Sequence, residues 1–154
     1  MTIVLDIPGR KRIELDFLLL DVNGTLSDRG ELIEGVTERL AALRQQLESR
    51  LLSADTFGTL SAISEHLSLP AQTAASAEQK LAVLNELGAD RCVAIGNGSN
   101  DREILAGAAL GIAIVGPEGC SAAALAACDV ACRSILDALD LLREPRALAA
   151  TLRA

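Results

Sequence analysis

One acidic residue stands directly after a strongly apolar run of the chain. The run is Phe17 to Leu20, and Asp21 follows it at once. Such a run predicts a buried strand of a parallel sheet. Gly24 then permits a tight turn with close backbone approach, and Thr25 adds a hydroxyl. Ligands of open α/β sheets bind at the carboxyl ends of the strands. Asp21 is therefore a candidate for chemistry, although a strand that ends in a capping Asp and a glycine turn would give the same pattern.

A hydroxyl follows the next apolar run. Residues 50–54 predict a strand, Ser53 lies near its end, and residues 55–59 open another predicted helix. A hydroxyl at a strand end beside a helix N-terminus suits a phosphate, because free amides and the helix dipole favour an anion there. Thr56 is the alternative hydroxyl. Asp55 could instead be only a helix N-cap, with Ser53 incidental.

A lysine lies close to the start of a third helix. Ser76 and Gln79 form the Ser-x-x-Gln pattern of a capping box, and Gly88 ends the helix. Lys80 is thus in the first turns, where a cation is unfavourable to the helix dipole by a few tenths of a kcal/mol. We expect an anion to compensate this charge, because lysine binds phosphate as a point charge. The alternative is an ordinary exposed lysine.

A polar loop follows another buried strand. Residues 91–95 predict that strand, residues 96–101 read Gly-Asn-Gly-Ser-Asn-Asp, and a helix is predicted from about residue 102 to 107. Two glycines and two amide side chains between a strand and a helix are typical of a ligand-facing loop. Asp101 could also be the N-cap of the helix, and both roles could hold together.

These four stretches resemble, in the same order, the motifs of the haloacid dehalogenase-like (HAD) superfamily. Asp21-x-x-Gly24-Thr25-Leu26 is similar to the first motif, whose Asp is a nucleophile that takes a phosphoryl group. The resemblance implies a nucleophilic Asp21, with Ser53 and Lys80 also in the catalytic set. It further implies that phosphate is held by a set of five residues, which are Asn23, Gly24, Ser53, Lys80 and Asn100.

The chain departs from the common first motif at one position. Where that motif has a second Asp as general acid/base, this chain has Asn23. In this respect it resembles the small soluble proteins related to the phosphorylation domain of P-type ATPases. General acid/base help is worth about 10²–10⁴-fold in rate. We therefore expect a preference for good leaving groups, such as acyl phosphates or anhydrides, and a slowly hydrolysed phosphoenzyme.

The resemblance also implies a Mg²⁺ cofactor. Its ligands would be Asp21, the backbone carbonyl of Asn23, Asn97 and Asp101, the last directly or through water. Asn97 stands where the family has an acid. An amide oxygen can bind Mg²⁺ but brings no negative charge. We expect weaker Mg²⁺ binding than in relatives with the full acid set.

Composition narrows the class of protein. The chain has 154 residues, which suits one HAD-like core domain over residues 1–154. The net charge of −7 and the absence of Trp and Tyr argue against a nucleic-acid surface. No apolar run approaches the ~20 residues of a membrane span, and no signal-peptide pattern opens the chain. We expect a cytoplasmic protein, with its four cysteines (Cys92, Cys120, Cys128 and Cys132) as reduced thiols.

The alternation of strands and helices predicts the scaffold. It indicates an α/β fold, a doubly wound, three-layer parallel sheet of the Rossmann-like, HAD type without a cap domain. Residues 2–16 predict an N-terminal β-hairpin that extends or covers a sheet edge. Residues 27–32 form a polar turn that the resemblance makes a small flap. The remaining predicted elements are helices 35–49, 59–67, 121–127, 134–142 and 145–152, and strands 110–115 and 129–132, with 71–77 unpatterned.

Three functions remain open at the level of sequence. The first is a Mg²⁺-dependent phosphatase that acts on a phosphorylated small molecule or a larger phosphorylated substrate. The second is a catalytically weakened regulatory or interaction protein, because two amides stand where the family has acids. The third is a phosphotransferase or an ATPase-like partner of a larger system. The Ala- and Leu-rich helices also suggest a homo-oligomer.

Overall fold

The computed structural model describes residues 2–154. The strands are β1 (Ile3–Leu5), β2 (Ile13–Leu15), β3 (Phe17–Asp21), β4 (Ser27–Asp28), β5 (Glu31–Leu32), β6 (Glu48–Ser53), β7 (Ala71–Thr73), β8 (Cys92–Gly96), β9 (Leu110–Ile114) and β10 (Val130–Cys132). The helices are α1 (Val36–Leu43), α2 (Leu60–Leu67), α3 (Ala77–Leu87), α4 (Arg102–Gly107), α5 (Ala122–Ala127), α6 (Ile135–Leu142) and α7 (Pro145–Leu152).

Six parallel strands form the central sheet in the order β10-β9-β8-β3-β6-β7. β3 lies in the middle, and the register pairs Asp21 with Leu52 of β6 and Leu20 with Ile95 of β8. After β3 the chain adds β6 and then β7 on one side of it. After α3 the chain crosses to the other side of β3 and adds β8, β9 and β10. The direction of strand addition therefore reverses between β3 and β8, which makes this a topological switch point. Ligand sites of doubly wound sheets form at such points.

Helices cover both faces of this sheet. Leu18 and Leu20 of β3 pack into a core shared with α1, α2, α6, α7 and the N-terminal hairpin. Leu19 points the other way, into a core shared with α3, α4 and α5. This alternation follows from the two-residue period of a strand. The predicted three-layer α/β fold is confirmed.

The N-terminal hairpin is present but does not extend the sheet. β1 and β2 pair antiparallel with each other, while β7 and β10 are the edges of the central sheet. Arg91 ties the hairpin to the chain before β8, through ion pairs of 2.6 Å to Glu14 and 2.7 Å to Asp16. The prediction that the hairpin extends the sheet is wrong, because β1 and β2 pair only with each other and their apolar side chains are buried in the core.

A two-stranded flap is all that separates β3 from the first helix. β4 and β5 pair antiparallel, with Arg29 and Gly30 at the turn in positive-φ conformations. α1 begins four residues after β5. Between β3 and α1 the described chain therefore has no room for a cap domain, as the sequence predicts.

Two boundaries differ from the sequence prediction. α1 ends at Leu43 rather than near residue 49, and Glu48–Arg50 belong to β6. These three residues pair with β3 from Phe17 to Leu19, so sheet pairing overrides the helical spacing of Leu43 and Leu47. β7 was not predicted at all, because its residues are exposed and carry no apolar alternation.

The four cysteines lie at different depths in the structure. Cys92 and Cys132 are buried, Cys120 and Cys128 are half-buried, and all four are free thiols. No helix within residues 2–154 is long and apolar enough to cross a membrane.

Candidate active site

The predicted functional residues come from four separate stretches and meet at the carboxyl edge of the sheet. Asp21 ends β3 and Ser53 ends β6, the neighbouring strand. The 97–101 loop follows β8, on the other side of β3. Lys80 reaches this point from the first turns of α3, whose start is fixed by the predicted capping box of Ser76 and Gln79.

Lys80 joins two of the acids. Its Nζ donates to Oδ1 of Asp21 at 2.9 Å and to Oδ1 of Asp101 at 2.7 Å. The side chain is completely buried. Burial alone would lower the pKa of Lys80, but the two carboxylates outweigh it and the pKa is raised. Lys80 therefore stays protonated, and the carboxylates of Asp21 and Asp101 compensate its positive charge. They supply the anions that a lysine in the first turns of a helix was expected to need.

Asp21 lies in a site with more negative than positive charge. It is 6 % exposed, and burial raises its pKa to about 7, with the charge of Asp101 adding to the rise. Lys80 and the hydroxyl of Thr25 oppose the rise without cancelling it. One ammonium thus serves two buried carboxylates, which is an electrostatic reason for a further cation to bind here.

Asp101 closes the loop that follows β8. Its Oδ2 accepts hydrogen bonds from the backbone N–H of Asn97 at 3.2 Å and of Gly98 at 2.9 Å. Asp101 is the N-cap residue of α4, as the sequence allows, but its side chain makes no cap hydrogen bond to that helix. A Cβ at Gly96 would collide with the Asp101 carboxylate. The Gly at position 96 is therefore what lets this carboxylate fold back against β8.

Thr25 links the nucleophile candidate to Asn97. Its hydroxyl lies 3.0 Å from Oδ2 of Asp21 and 3.3 Å from Oδ1 of Asn97. It has one proton to donate, and Asp21 is the nearer acceptor. Nδ2 of Asn97 donates to the carbonyl of Gly119 at 3.1 Å. Thr25 was not among the predicted site residues; a hydroxyl four residues after a strand-ending Asp was the signal that could have identified it.

Gly24 allows the first loop to lie against the second. Its φ is +78°, and a Cβ there would collide with the amide of Asn97. The N–H of Gly24 donates to the carbonyl of Ser27 at 2.9 Å, so a bound phosphate would compete with that bond. Asn23 is half-exposed and forms a β-bridge with Ser27. The phosphate-binding roles of Asn23 and Gly24 stay predictions.

Ser53 is the buried hydroxyl at the end of β6. Its Oγ accepts from the N–H of Asp55 at 2.9 Å, which leaves the hydroxyl proton to donate elsewhere. Oδ1 of Asp55 in turn accepts from the N–H of Leu60, the first residue of α2. Asp55 therefore contacts the helix start, but Thr59 is the N-cap residue of α2, so the prediction of Asp55 as N-cap is wrong. Thr56 is exposed.

Asn100 connects the 97–101 loop to the segment before α3. Its Nδ2 donates to the carbonyl of Ala75 at 3.2 Å. The amide oxygen is the part of this side chain that no described contact uses, and the amide nitrogen would have to change partner to hold a phosphate. The role of Asn100 also stays a prediction.

The oxygen donors of this site fit a weakly held Mg²⁺. Among residues 2–154 no group of three or more His, Cys, Asp or Glu is arranged to hold a metal. The oxygens at hand are those of Asp21, Asp101 and Asn97, and such hard donors suit Mg²⁺. Burial, and after it the charge of Asp101, raises the pKa of Asp21, and a cation bound between the two carboxylates would relieve both effects. Of these three side chains only Asp21 and Asp101 can be anionic, and Lys80 already neutralises part of their charge, so the attraction for a metal ion is weakened.

Two archaeal proteins are similar in sequence. No protein-family model matches the chain. Uncharacterized protein MJ0073 of Methanocaldococcus jannaschii is 41 % identical over 78 residues, which cover 48 % of this chain and 84 % of that protein. Uncharacterized protein MJ0072 of the same organism is 51 % identical over 39 residues, which cover 25 % of this chain and 89 % of that protein.

Solved structures show the same fold at low identity. A cobalt-bound deoxy-D-mannose-octulosonate 8-phosphate phosphatase of Haemophilus influenzae matches with a TM-score of 0.70 at 13 % identity, over 91 % of this chain and 94 % of that one. The 3-deoxy-D-manno-octulosonate 8-phosphate phosphatase of Moraxella catarrhalis, solved with magnesium, phosphate and KDO, matches with a TM-score of 0.69 at 18 % identity, over 90 % and 94 %.

The solved structures show the fold of this chain, and the sequence relatives show its family. At 13–18 % identity the solved phosphatases show that the scaffold is of HAD type. The sequence match to MJ0073 extends over most of that protein. The chain therefore has the HAD-type fold and belongs to the same protein family as MJ0073 of Methanocaldococcus jannaschii.

Proposed function

We propose that this chain, as one domain, is a Mg²⁺-dependent phosphohydrolase that acts through an aspartyl-phosphate on Asp21. One observation carries the proposal. The carboxylate of Asp21, at the end of the central strand, is held on one oxygen by Lys80 and on the other by Thr25. The carboxylate is thus oriented at the switch point of the sheet, where doubly wound folds bind ligands.

The reaction consists of two displacements at phosphorus. An oxygen of Asp21 attacks, the bond from phosphorus to the leaving oxygen breaks, and the leaving group keeps the electron pair. Lys80 neutralises charge on the transferred group, and the hydroxyl of Ser53 donates to one of its oxygens. Water then attacks the same phosphorus, the bond to Asp21 breaks, Asp21 regains its electron pair, and the proton that the water loses goes to a phosphate oxygen or to solvent.

The metal site would be formed by Asp21, Asp101, the side chain of Asn97 and the backbone carbonyl of Asn23. When bound, Mg²⁺ would neutralise negative charge on the transferring phosphoryl group. Asn97 would hold such an ion less strongly than an acid. Phosphate oxygens would supply the missing anionic ligands, so we expect the ion to bind most firmly together with phosphate.

Asn23 limits the choice of substrate. An amide cannot give a proton to the leaving oxygen or take one from water. Leaving groups that depart as stable anions need no such proton, and acyl phosphates and anhydrides belong to this class. The phosphoenzyme should turn over slowly for the same reason. A phosphorylated small molecule or a larger phosphorylated partner remains the proposed substrate, in the cytoplasm.

Intact-mass measurement after treatment with acetyl phosphate and Mg²⁺ tests the proposal. We expect a phosphate adduct in the wild type and in Asp140→Asn, a control whose carboxylate pairs with Arg39 away from the site. The adduct should be absent in Asp21→Asn. Asn23→Asp should hydrolyse acetyl phosphate faster than the wild type. An adduct that persists in Asp21→Asn would refute the assignment of the nucleophile.

A second function has its own support in the structure. Nδ2 of Asn97 donates to the carbonyl of Gly119, a bond that an ionised carboxylate at this position could not make. Such a site could serve as a regulatory or interaction module that binds phosphate without turnover. A wild type that forms no adduct, together with an active Asn23→Asp, would favour this function.

A further inference from the structure

A cavity of about 450 Å³ opens beside the first loop, on the side away from Lys80. Its wall is mostly apolar and includes Ile33, Val115, Ile135 and Leu136. Cavities of this size with an apolar wall and a few polar groups are typical of sites for small organic ligands. Nothing in the proposed chemistry at Asp21 uses this volume.

The cavity and the candidate active site have one residue in common. Thr25 lines it, and the hydroxyl of the same side chain lies 3.0 Å from Oδ2 of Asp21. The flap lines it as well, through Asp28. The backbone N–H of Arg29, at the tip of the flap, donates to Oε2 of Glu118 at 2.9 Å, which holds the flap against the loop that follows β9.

Among the described residues that line the cavity, Arg133 carries the one charge without an ion pair. Arg133 lines the rim, is exposed, and forms no ion pair or side-chain hydrogen bond with any residue that the structure describes. Asp28 is already paired with Arg29 at 2.7 Å. The N-terminus of α6, capped by Ser134, lies on the same wall. An anionic group is the ligand feature that this rim would favour.

We propose that this cavity binds the organic part of the phosphorylated substrate, and that this part is an apolar chain or ring bearing a carboxylate directed at Arg133. The proposal rests on the proposed function, since it assigns the ligand a phosphate at Asp21. It gives the substrate class as an amphipathic, phosphorylated carboxylic acid.

Binding can be tested without turnover by methyl NMR. The probes are hexanoate, hexan-1-ol and hexylammonium, added to the wild-type protein without Mg²⁺ or phosphate. We expect hexanoate to shift the methyl signals of Ile33, Val115 and Ile135, and to bind more tightly than the other two probes. Arg133→Ala should weaken hexanoate about two- to fivefold, as expected for one exposed charge pair, and leave hexan-1-ol unchanged. Arg146→Ala, an exposed arginine on α7, is the control.

A second pair of variants tests the apolar wall. Val115 and Leu125 are each 46 % exposed, but only Val115 lines the cavity. Val115→Asp should abolish hexanoate binding, and Leu125→Asp should not affect it. Because both positions are already half in water, neither variant should unfold the protein, which far-UV circular dichroism would verify.

The outcomes separate this inference from the proposed function. Hexanoate that shifts these methyls, in a protein that forms the phosphate adduct on Asp21, would support both. An adduct on Asp21 with no hexanoate shift would overturn the cavity assignment alone. Hexanoate binding in a protein that forms no adduct on Asp21 would overturn the substrate role along with the proposed function. Shifts unaffected by Arg133→Ala and Val115→Asp would also overturn the assignment.

Discussion

Asp21→Asn should stabilise the metal-free protein, because the wild type buries two carboxylates against one ammonium. Burial and Asp101 raise the pKa of Asp21 from 3.8 to about 7. In the folded state Asp21 holds its proton up to that pH, whereas in the unfolded chain it loses it near 3.8. Stability therefore falls as the pH rises between these two values, and the loss is complete above pH 7.

The shift of about three pKa units sets the magnitude. At about 1.4 kcal/mol per unit, the raised pKa of Asp21 costs about 4 kcal/mol of stability at pH 8 and roughly a third of that at pH 5. Asparagine keeps the shape and can still accept from Lys80, without the charge. At about 2–4 °C per kcal/mol for a chain of this length, Tm should rise by up to about 8–16 °C at pH 8.

The assay is thermal unfolding followed by circular dichroism in EDTA, because the chain has no Trp or Tyr for intrinsic fluorescence. The gain in Tm should be smaller at pH 5 than at pH 8, and Asp140→Asn should show no such pH dependence. Mg²⁺ with phosphate should stabilise the wild type and not Asp21→Asn. A variant that is less stable than the wild type at pH 8, or equally shifted at both pH values, would refute the charge argument.

Four further changes test other parts of the site. Lys80→Met leaves two buried carboxylates without a cation and should cost about 3–5 kcal/mol of unfolding free energy in urea, more at pH 8 than at pH 5; equal loss at both would contradict the pairing. Gly24→Ala places a Cβ at φ +78° against the Asn97 amide, so it should destabilise by at least about 1 kcal/mol and reduce the phosphate adduct, and an unchanged adduct would disprove the close approach. Asn97→Asp should tighten Mg²⁺ binding without phosphate by at least about tenfold in calorimetry, since it adds an anionic ligand. Burial raises the pKa of Cys92 and of Cys132 to about 11, so both thiols should react with a disulfide reagent at pH 8 far more slowly than in the urea-unfolded chain, and equal rates would refute their burial.

Local chemistry made much of this protein predictable from sequence. The strand that ends at Asp21 is an uninterrupted apolar run, and a run with no polar face belongs in the middle of a parallel sheet. The capping box of Ser76 and Gln79 fixed the start of α3, because its partners lie three residues apart. The order of the motifs then predicted which edge of the sheet would hold the site.

Other features depended on contacts between distant stretches. The end of α1 was decided by pairing of Glu48–Arg50 with β3, which helical spacing could not reveal. Lys80 donates to both Asp21 and Asp101. These two contacts depend on where α3 packs relative to the sheet, which cannot be read from the sequence. The apolar cavity beside Thr25 exists only because the flap, β9 and α6 converge there.

Patterns a few residues long mark strand ends and helix starts, and they were enough to select the candidate residues for the chemistry. How the charges of these residues balance depends on their positions in the folded protein. The pKa of Asp21 depends on burial and on Asp101, which lies 80 positions away in the chain. Such electrostatic interactions depend on the distance between the groups in space, which cannot be calculated from their separation along the chain.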